Sequence, residues 1–154
     1  MRLQSGLFAA LLMAAPVFAQ DVPDASTPLL SQVLAAVEAD GARIVYSAEW
    51  DRRTWEVVSC PGRTRICIEE EIDAETGAIR SSEREGVAVL PPEGALPASQ
   101  IAAGVEAMEL GRITELEFDD RRWEVNVRDG LRRAEFRIDP LSGAVLRCEG
   151  SLCP

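Results

Sequence analysis

The feature that most constrains this chain is the similarity between its two halves. Three segments match in the same order: "SQVLAAVEA" (31–39) with "SQIAAGVEA" (99–107), "EWDRRTWEV" (49–57) with "EFDDRRWEV" (117–125), and "IDAETGAI" (72–79) with "IDPLSGAV" (138–145). The first two matches share an offset of 68 residues, and the third follows a hairpin that is two residues longer in the first copy. Ordered matches of this kind indicate an internal duplication of a unit of about 60 residues.

Each copy opens with a helix-forming pattern. In the first copy, Thr27 followed by Pro28 is typical of an N-cap and a first helical residue, and Gly41 marks the end. In the second copy, Pro97 and Gly111 bound a similar apolar stripe. We therefore predict one short helix per copy, which packing of its apolar stripe must stabilise.

Strand patterns follow each helix. Trp55 and Val57 alternate with polar residues, as do Trp123 and Val125, and the flanking segments alternate in the same way. Such alternation is typical of antiparallel strands with one buried face. The predicted fold class is therefore α+β, with two repeats, each a short helix packed on a three- to four-stranded antiparallel sheet.

The predicted domain organisation follows from these patterns. The first repeat spans residues 27–80 and the second spans 97–153. The intervening segment 81–96 is rich in Pro, Gly and Ser, which predicts a linker, and Val87–Leu90 is apolar enough to add an edge strand.

The N-terminal segment differs from the rest of the chain. Residues 1–19 combine one basic residue, a short apolar run and small residues ahead of Ala19, which is the pattern of a secretory signal peptide cleaved after Ala19. The apolar run is shorter than the ~20 residues that a membrane-spanning helix needs. We therefore predict a periplasmic or secreted protein that does not insert into the membrane.

The four cysteines are expected to form two local disulfides. Strand alternation places Cys60 and Cys67 on the same outer face, opposite each other across a hairpin, and Cys148 and Cys153 flank a short segment that contains Gly150. Cross-pairing between the two repeats stays open. A zinc site is disfavoured, because the chain has no CxxC motif and no His.

The charge excludes several classes of function. The formal net charge is −10 at pH 7, and every basic residue is an Arg. An acidic protein is a poor candidate for binding nucleic acid, whose recognition needs a positive patch. The chain also lacks His, the most frequent general base in enzymes, and Lys, another common one. We therefore predict no catalytic residues, no cofactor and no metal.

Glu70 breaks the strand pattern. It falls on the predicted inner face, where the second copy has Phe136. A strand edge open to solvent, a pairing with a nearby Arg, or a carboxyl with a perturbed pKa each account for it. The surrounding "EEEID" (69–73) lacks the alternating ligands and Gly of a calcium loop, and neighbouring strand residues point to opposite faces.

The repeated pattern resembles the PepSY family of small exported domains. The resemblance rests on the "VEA" helix, the "DRRxWEV"-like strand and the "ID..[TS]GA[IV]" close, and it covers roughly residues 28–80 and 97–147. It implies a helix on an antiparallel sheet, an extracytoplasmic location and a role in inhibiting or regulating peptidases. No catalytic residues belong to that family, so none are carried over.

The sequence therefore favours a non-catalytic binding module of the cell envelope. Its partner is expected to be an envelope protein or peptide, and the resemblance to the PepSY family adds the inhibition or regulation of a peptidase. Exposed strand edges can accept an added strand. Trp and Arg are enriched at binding hot spots. The candidate contact residues are Trp50, Arg52, Arg53, Arg121 and Arg122. A metal or small-ligand sensor is the alternative, and an enzyme is disfavoured.

Overall fold

The computed structural model describes residues 22–40, 42–87 and 89–154. The elements in chain order are α1 (Leu30–Ala39), β1 (Arg43–Asp51), β2 (Thr54–Pro61), β3 (Ile66–Asp73), β4 (Ile79–Gly86), α2 (Ala98–Glu106), β5 (Arg112–Asp119), β6 (Arg122–Asp129), β7 (Arg132–Ile138) and β8 (Val145–Gly150). The expected signal peptide at residues 1–19 and the expected helix end at Gly41 lie outside the described residues.

The eight strands form one antiparallel sheet, so the prediction of an α+β fold with two repeats, each a short helix packed on a three- to four-stranded sheet, is wrong. The strand order is β4-β3-β2-β1-β5-β6-β7-β8. Strands β1 and β5 join the two halves through three antiparallel pairs, Ser47 with Glu117, Ala48 with Leu116 and Glu49 with Glu115. This pairing removes two strand edges that separate sheets would expose, which is its physical advantage. With helices of only 10 and 9 residues, the fold is mostly β.

Both helices pack on one face of this sheet and share one core. The core includes Leu34 of α1 and Ile101 of α2, which contact the same buried layer as Trp55 and Trp123. Each tryptophan meets a second aromatic ring edge-on, with ring centroids 5.2 Å apart for Trp50 and Trp55. The equivalent pair in the second half is Phe118 with Trp123, at 5.3 Å. Packing against this continuous layer stabilises helices that are too short to be stable alone.

Each helix receives its N-terminal cap from the other helix. The N-cap residues are Leu29 and Pro97, so the expected N-cap at Thr27 is wrong. Instead, the Ser31 backbone N–H donates to Glu106 Oε1 at 3.2 Å. The Ser99 backbone N–H donates to Glu38 Oε1 at 3.3 Å, and the Ser99 hydroxyl donates to Glu38 Oε2 at 2.5 Å.

A carboxylate at a helix N-terminus satisfies free N–H groups and interacts favourably with the helix dipole. The two glutamates come from the matching "VEA" segments of the two halves. The exchange therefore explains why both copies carry this acidic residue near the helix end.

The segment between the two halves contributes more to the sheet than the sequence predicted. Strand β4 continues through Gly86, so the first part of the expected linker 81–96 is strand. Residues 87, 89 and 90 lie outside any strand, so the edge strand expected at Val87–Leu90 is not seen among its described residues. Val87 and Leu90 instead pack on Val58 and the Cys60–Cys67 disulfide.

Two disulfides each join cysteines that are close in sequence. Cys60 is bonded to Cys67, with Cα atoms 4.1 Å apart, and Cys148 is bonded to Cys153, with Cα atoms 5.8 Å apart. These are the two local pairs predicted from the sequence, the first from the strand register and the second from the short segment that contains Gly150. The first bond lies on the sheet face opposite the helices, and the second packs against the main core beside Leu152.

Candidate functional site

The aromatic and basic residues predicted to contact a partner do not form one surface. Trp50 was expected to anchor a partner beside a turn, but its side chain is only 8% exposed and packs on Trp55. The reason is register: Trp50 pairs directly with Trp55, and both point to the helix-covered face. Trp50 is therefore a core residue and not a surface anchor.

The predicted arginines occupy two hairpin tips at opposite ends of the sheet. Arg52 and Arg53 form the β1–β2 tip, and Arg121 lies in the β5–β6 tip, followed by Arg122 at the start of β6. Because β1 and β5 are antiparallel neighbours, their C-terminal ends point in opposite directions. The structure therefore separates the two arginine pairs and does not assemble them into one basic patch.

Both tips have a strained backbone and arginines that form ion pairs. Arg52 and Arg53 have φ of 44° and 76°, and Asp120 and Arg121 have φ of 45° and 64°. Two-residue hairpins of this kind favour Asn and Gly, because other residues are strained at positive φ. Arg53 pairs with Glu75, while Arg122 Nη2 is 2.5 Å from an Asp120 carboxylate oxygen.

The most unusual surface is the sheet face opposite the helices, here called the open face. Four glutamates on four adjacent strands lie directly opposite one another along this face: Glu71 pairs with Glu56, Glu56 with Glu49, and Glu49 with Glu115. We call Glu71, Glu56, Glu49 and Glu115 the glutamate row. It continues across β6, β7 and β8 as Asn126, Glu135 and Glu149.

A second line of acidic residues runs beside the row. Glu117 on β5 pairs with Glu124 on β6, and Glu69 on β3 pairs with Glu83 on β4. Residues directly opposite in neighbouring strands have Cβ atoms only about 4.5–5.5 Å apart, so like charges there repel. The open face therefore concentrates negative charge at the centre of the sheet.

Burial and the neighbouring carboxylates together raise the pKa of two central glutamates, Glu56 and Glu117. Burial raises the pKa of Glu56, and the carboxylates of Glu69, Asp51, Glu49 and Glu71 raise it further. Each neighbouring charge makes ionisation of Glu56 harder, so the row is held in an electrostatically unfavourable state at neutral pH.

Glu117 behaves in the same way. Its pKa is raised first by burial and then by Glu115, Asp119 and other nearby carboxylates. Burial also raises the pKa of Tyr46, followed by the charges of Glu117 and Asp119 and by a hydrogen bond to Glu117. The tyrosine therefore stays protonated and donates to the acidic centre.

Arginine compensates the acidic charge on the strands of the second half. Arg137 Nε is 3.3 Å from a Glu124 oxygen, and its Nη2 is 3.5 Å from a Glu135 oxygen. Arg147 pairs with Glu149 at 2.6 Å. The open face thus divides into a strongly acidic part on β1–β3 and β5 and a charge-balanced part on β6–β8.

Glu70 points to the helix side and forms a buried ion pair. Its carboxylate lies 2.5 Å from Arg43 Nη1, and its side chain is 6% exposed. Arg43 also contacts Asp40 and Ser59, each at 3.4 Å. Of the three explanations considered for Glu70, pairing with an arginine is the one found. Within the described ranges, no group of three or more His, Cys, Asp and Glu side chains is arranged to hold a metal ion.

Two clefts at equivalent positions differ greatly in size. The first cleft lies at the start of α1, is lined by Leu30, Trp55, Glu106, Arg112 and Ile113, and has a volume of about 30 Å³. The second cleft lies at the start of α2, is lined by Ala98, Trp123, Glu38, Ile44, Val45 and most of segment 91–97, and has a volume of about 390 Å³. The sequence reasoning missed both, because they depend on contacts between the two halves.

Comparisons with known proteins assign no family. No family model matches the chain, and no curated protein matches it. Among solved structures, a protein from Clostridium difficile 630 described as a lipoprotein matches with a TM-score of 0.46 and 14% sequence identity, over 78% of this chain and 89% of that chain. A likeness at this score does not show a shared fold, so the resemblance to the PepSY family stays a prediction. Among the residues that the structure describes, no helix is long and apolar enough to cross a membrane.

Proposed function

We propose that the protein is an exported, non-catalytic binding module whose open face binds a positively charged protein or peptide. The observation that carries this proposal is the glutamate row, in which four carboxylates oppose one another on adjacent strands. Directly opposed like charges destabilise a sheet, whereas protein surfaces usually intersperse the two signs of charge.

A basic partner relieves that cost on binding. Arginine or lysine side chains placed between the carboxylates convert repulsion into attraction, so part of the binding free energy comes from strain already present in the free protein. The net charge of −10 adds long-range attraction, which raises the association rate of a cationic partner at low ionic strength.

Export is supported by two features of different origin. The N-terminal segment has the signal-peptide pattern, and all four cysteines are paired in disulfides. Disulfides persist in the oxidising compartments outside the cytoplasm. An envelope location places the module among exported proteins and peptides, and the regulation of a peptidase is what the PepSY resemblance adds to this proposal.

Binding to an oligo-lysine peptide tests the role of the open face. We expect Glu49→Gln/Glu56→Gln to weaken the affinity at least tenfold at low salt. The matched control is Glu135→Gln/Glu149→Gln, which removes the same number of charges from glutamates that already pair with Arg137 and Arg147. We expect the control to lose less than twofold.

Isothermal titration at two salt concentrations measures both variants. Equal weakening in the two variants would show that net charge alone governs binding, and the proposed role of the row would be wrong. Turnover of any substrate in a hydrolase panel, if it survived re-purification, would overturn the non-catalytic part of the proposal.

A further inference from the structure

The turns that follow β3 and β7 are built alike. Asp73 and Asp139 each accept hydrogen bonds from the backbone N–H groups two and three residues further on, at 2.8–3.1 Å. Gly77 and Gly143 both have φ of 71°. Since the two turns share these hydrogen bonds and this backbone conformation, the segments packed on them can be compared directly.

In the second half, the chain itself covers this turn. The Leu96 backbone N–H donates to the Pro140 carbonyl oxygen at 2.8 Å. A Cβ added to Gly143 would lie only 3.1 Å from Leu96 Cδ1. Leu96 also packs against the main core. A leucine side chain from the segment that precedes α2 therefore fills the space beside the turn.

In the first half, the corresponding space is open. In the alignment of the two halves, Pro28 stands where Leu96 stands, and Ala74 stands where Pro140 stands. Proline has no backbone N–H, so Pro28 cannot make the hydrogen bond that Leu96 makes. Beyond its chain neighbours, a Cβ added to Gly77 would meet no atom of the described residues within 4 Å.

The open space is a groove of about 340 Å³ between α1 and the β3–β4 turn, here called the turn groove. This volume is within the range of ligand-binding pockets. Val33 and Val37 line it from α1, and Ile72 and Ile79 line it from the strands. Val37 and Ile72 are buried, whereas Ile79 is 55% exposed. An apolar side chain bound in the groove would cover part of that exposed surface, which is favourable.

The charged residues of the turn groove favour a basic partner over an acidic one. Among the described residues that line it, Asp40, Glu70 and Glu75 are acidic and Arg43 is basic. Arg43 pairs with Asp40 and Glu70, and Arg53 pairs with Glu75 from outside the lining. Even with Arg53 counted, three carboxylates face two guanidinium groups. A positive residue beside a bound apolar side chain therefore meets complementary charge.

We infer that the turn groove binds a leucine side chain from an extended segment of the basic partner, in the position that Leu96 occupies in the second half. The backbone N–H of that leucine donates to the Ala74 carbonyl oxygen, as Leu96 donates to Pro140. The inference deepens the proposed function and rests on it for the basic character of the partner. It adds an apolar contact on the helix side of the sheet, whereas the open face lies on the other side.

A short peptide copied from the chain tests this inference. Acetyl-Arg-Ala-Leu-Pro-Ala-amide repeats residues 95–98 behind an added arginine. Titrated into the isotope-labelled mature protein, it should shift the backbone amide signals of residues 33–37 and 74–79 until the site is saturated. The analogue with alanine in place of leucine should bind at least tenfold more weakly, and so should the analogue that is N-methylated at the leucine.

Two helix substitutions form a matched pair. Ala36 lines the turn groove, whereas Ala35 is an exposed residue of α1 outside its lining. Ala36→Phe should fill the groove and weaken peptide binding at least tenfold, while Ala35→Phe should bind as the unmodified protein does. If Ala36→Phe does not fold by near-ultraviolet circular dichroism, Pro28→Leu fills the groove from the segment before α1 and should have the same effect.

Three results would overturn the inference. The first is equal affinity for the leucine and alanine peptides, and the second is unchanged binding in a folded Ala36→Phe variant. The third is a shift of the same amide signals when protein concentration alone is raised, with a dimer in analytical ultracentrifugation, because a second copy would then be the occupant.

The inference and the proposed function can fail separately. Loss of oligo-lysine binding in Glu49→Gln/Glu56→Gln, with less than a threefold change in peptide affinity, supports two distinct contacts. Peptide binding in the turn groove without any effect of that double variant on oligo-lysine would make the role of the open face wrong and leave the groove standing. Equal binding of a peptide with glutamate in place of arginine would remove the link between the groove and a basic partner.

Discussion

The same position in the two halves of the sheet is filled in two different ways. In the first half, the residue opposite Val57 is Glu70, which pairs with Arg43 beneath α1. In the second half, the residue opposite Val125 is Phe136, a fully apolar core residue. The sheet accepts a carboxylate at this position in the first half because Arg43 pairs with it, and it accepts an aromatic ring in the second half because the surrounding residues are apolar.

The matching residue in the second half is Gly111, which stands where Arg43 stands in the first. It has φ of +154°, and an added Cβ would lie 2.4 Å from the Arg128 carbonyl oxygen. A long side chain is therefore excluded at that position without a backbone shift. The comparison teaches that an out-of-pattern residue such as Glu70 is interpretable only together with its partner.

The largest expected effect concerns the aromatic pairs. We expect Trp123→Ala to lower the free energy of unfolding by about 4 kcal/mol, because a fully buried ring is lost and a cavity remains. Trp50→Ala should cost less, since Trp50 keeps 8% exposure against 1% for Trp123. Urea denaturation of the two variants decides this, and a larger loss for Trp50→Ala would contradict the ranking.

The next largest loss of stability is expected when the buried ion pair of Arg43 and Glu70 is broken, and a double variant compares that pair with the apolar residues of the second half. Arg43→Met should destabilise the protein by about 3 kcal/mol, because it leaves the buried Glu70 carboxylate without its cation. Arg43→Met/Glu70→Leu should recover most of that loss, since it makes the first half resemble the second. Denaturant midpoints measure both, with the exposed Arg52→Met as a control. If the double variant is no more stable than the single one, the pair is needed for more than mutual compensation.

Removal of the first disulfide should have an intermediate effect. Cys60→Ser/Cys67→Ser should cost about 2 kcal/mol, as expected for a short closed loop. The bonded cysteines are fully buried beneath Val87, so the loss should also loosen that segment. Hydrogen exchange at residues 87–90 reports the loosening, and unchanged protection there would show that Val87 and Leu90 hold the segment without the bond.

The smallest expected change in stability is a gain, and its size depends on pH. Folding raises the pKa of Glu56, so its ionised form destabilises the folded state at neutral pH, and protonation removes that cost. Glu56→Gln should therefore stabilise the protein by about 0.5 kcal/mol at pH 7, a magnitude typical of one cross-strand pair. The gain should shrink as pH falls through the raised pKa of Glu56. Thermal melts from pH 4 to pH 8 test this, and a gain independent of pH would point to packing and not charge.

Much of this structure could be predicted from the sequence, but only within each half. Alternation in the strands gave the inward positions of Trp55 and Trp123, and the same register brought Cys60 and Cys67 together. The outward positions of the glutamates in the glutamate row could also be predicted, since these residues are the polar members of the same alternating pattern.

The contacts between halves could not be predicted in this way. Backbone hydrogen bonds join β1 to β5 through three residue pairs, and backbone groups carry no sequence pattern. Without that pairing, Glu49 and Glu115 are not neighbours, so the glutamate row is invisible in the sequence. The clefts escape prediction for the same reason, because Glu38 and Glu106 each line a cleft formed with the other helix.

The exchange of caps between Glu38 and Glu106 has a consequence for how the chain can be divided. Each helix depends on a carboxylate from the opposite half for its N-terminal cap. Each of the two central strands, β1 and β5, pairs with the edge that the other would otherwise expose. The two halves thus behave as two subunits of a dimer that happen to be covalently joined. A chain cut between Gly86 and Pro97 should yield two fragments that are unstructured apart and that refold only when mixed, which makes the molecule suited to a split-protein reporter.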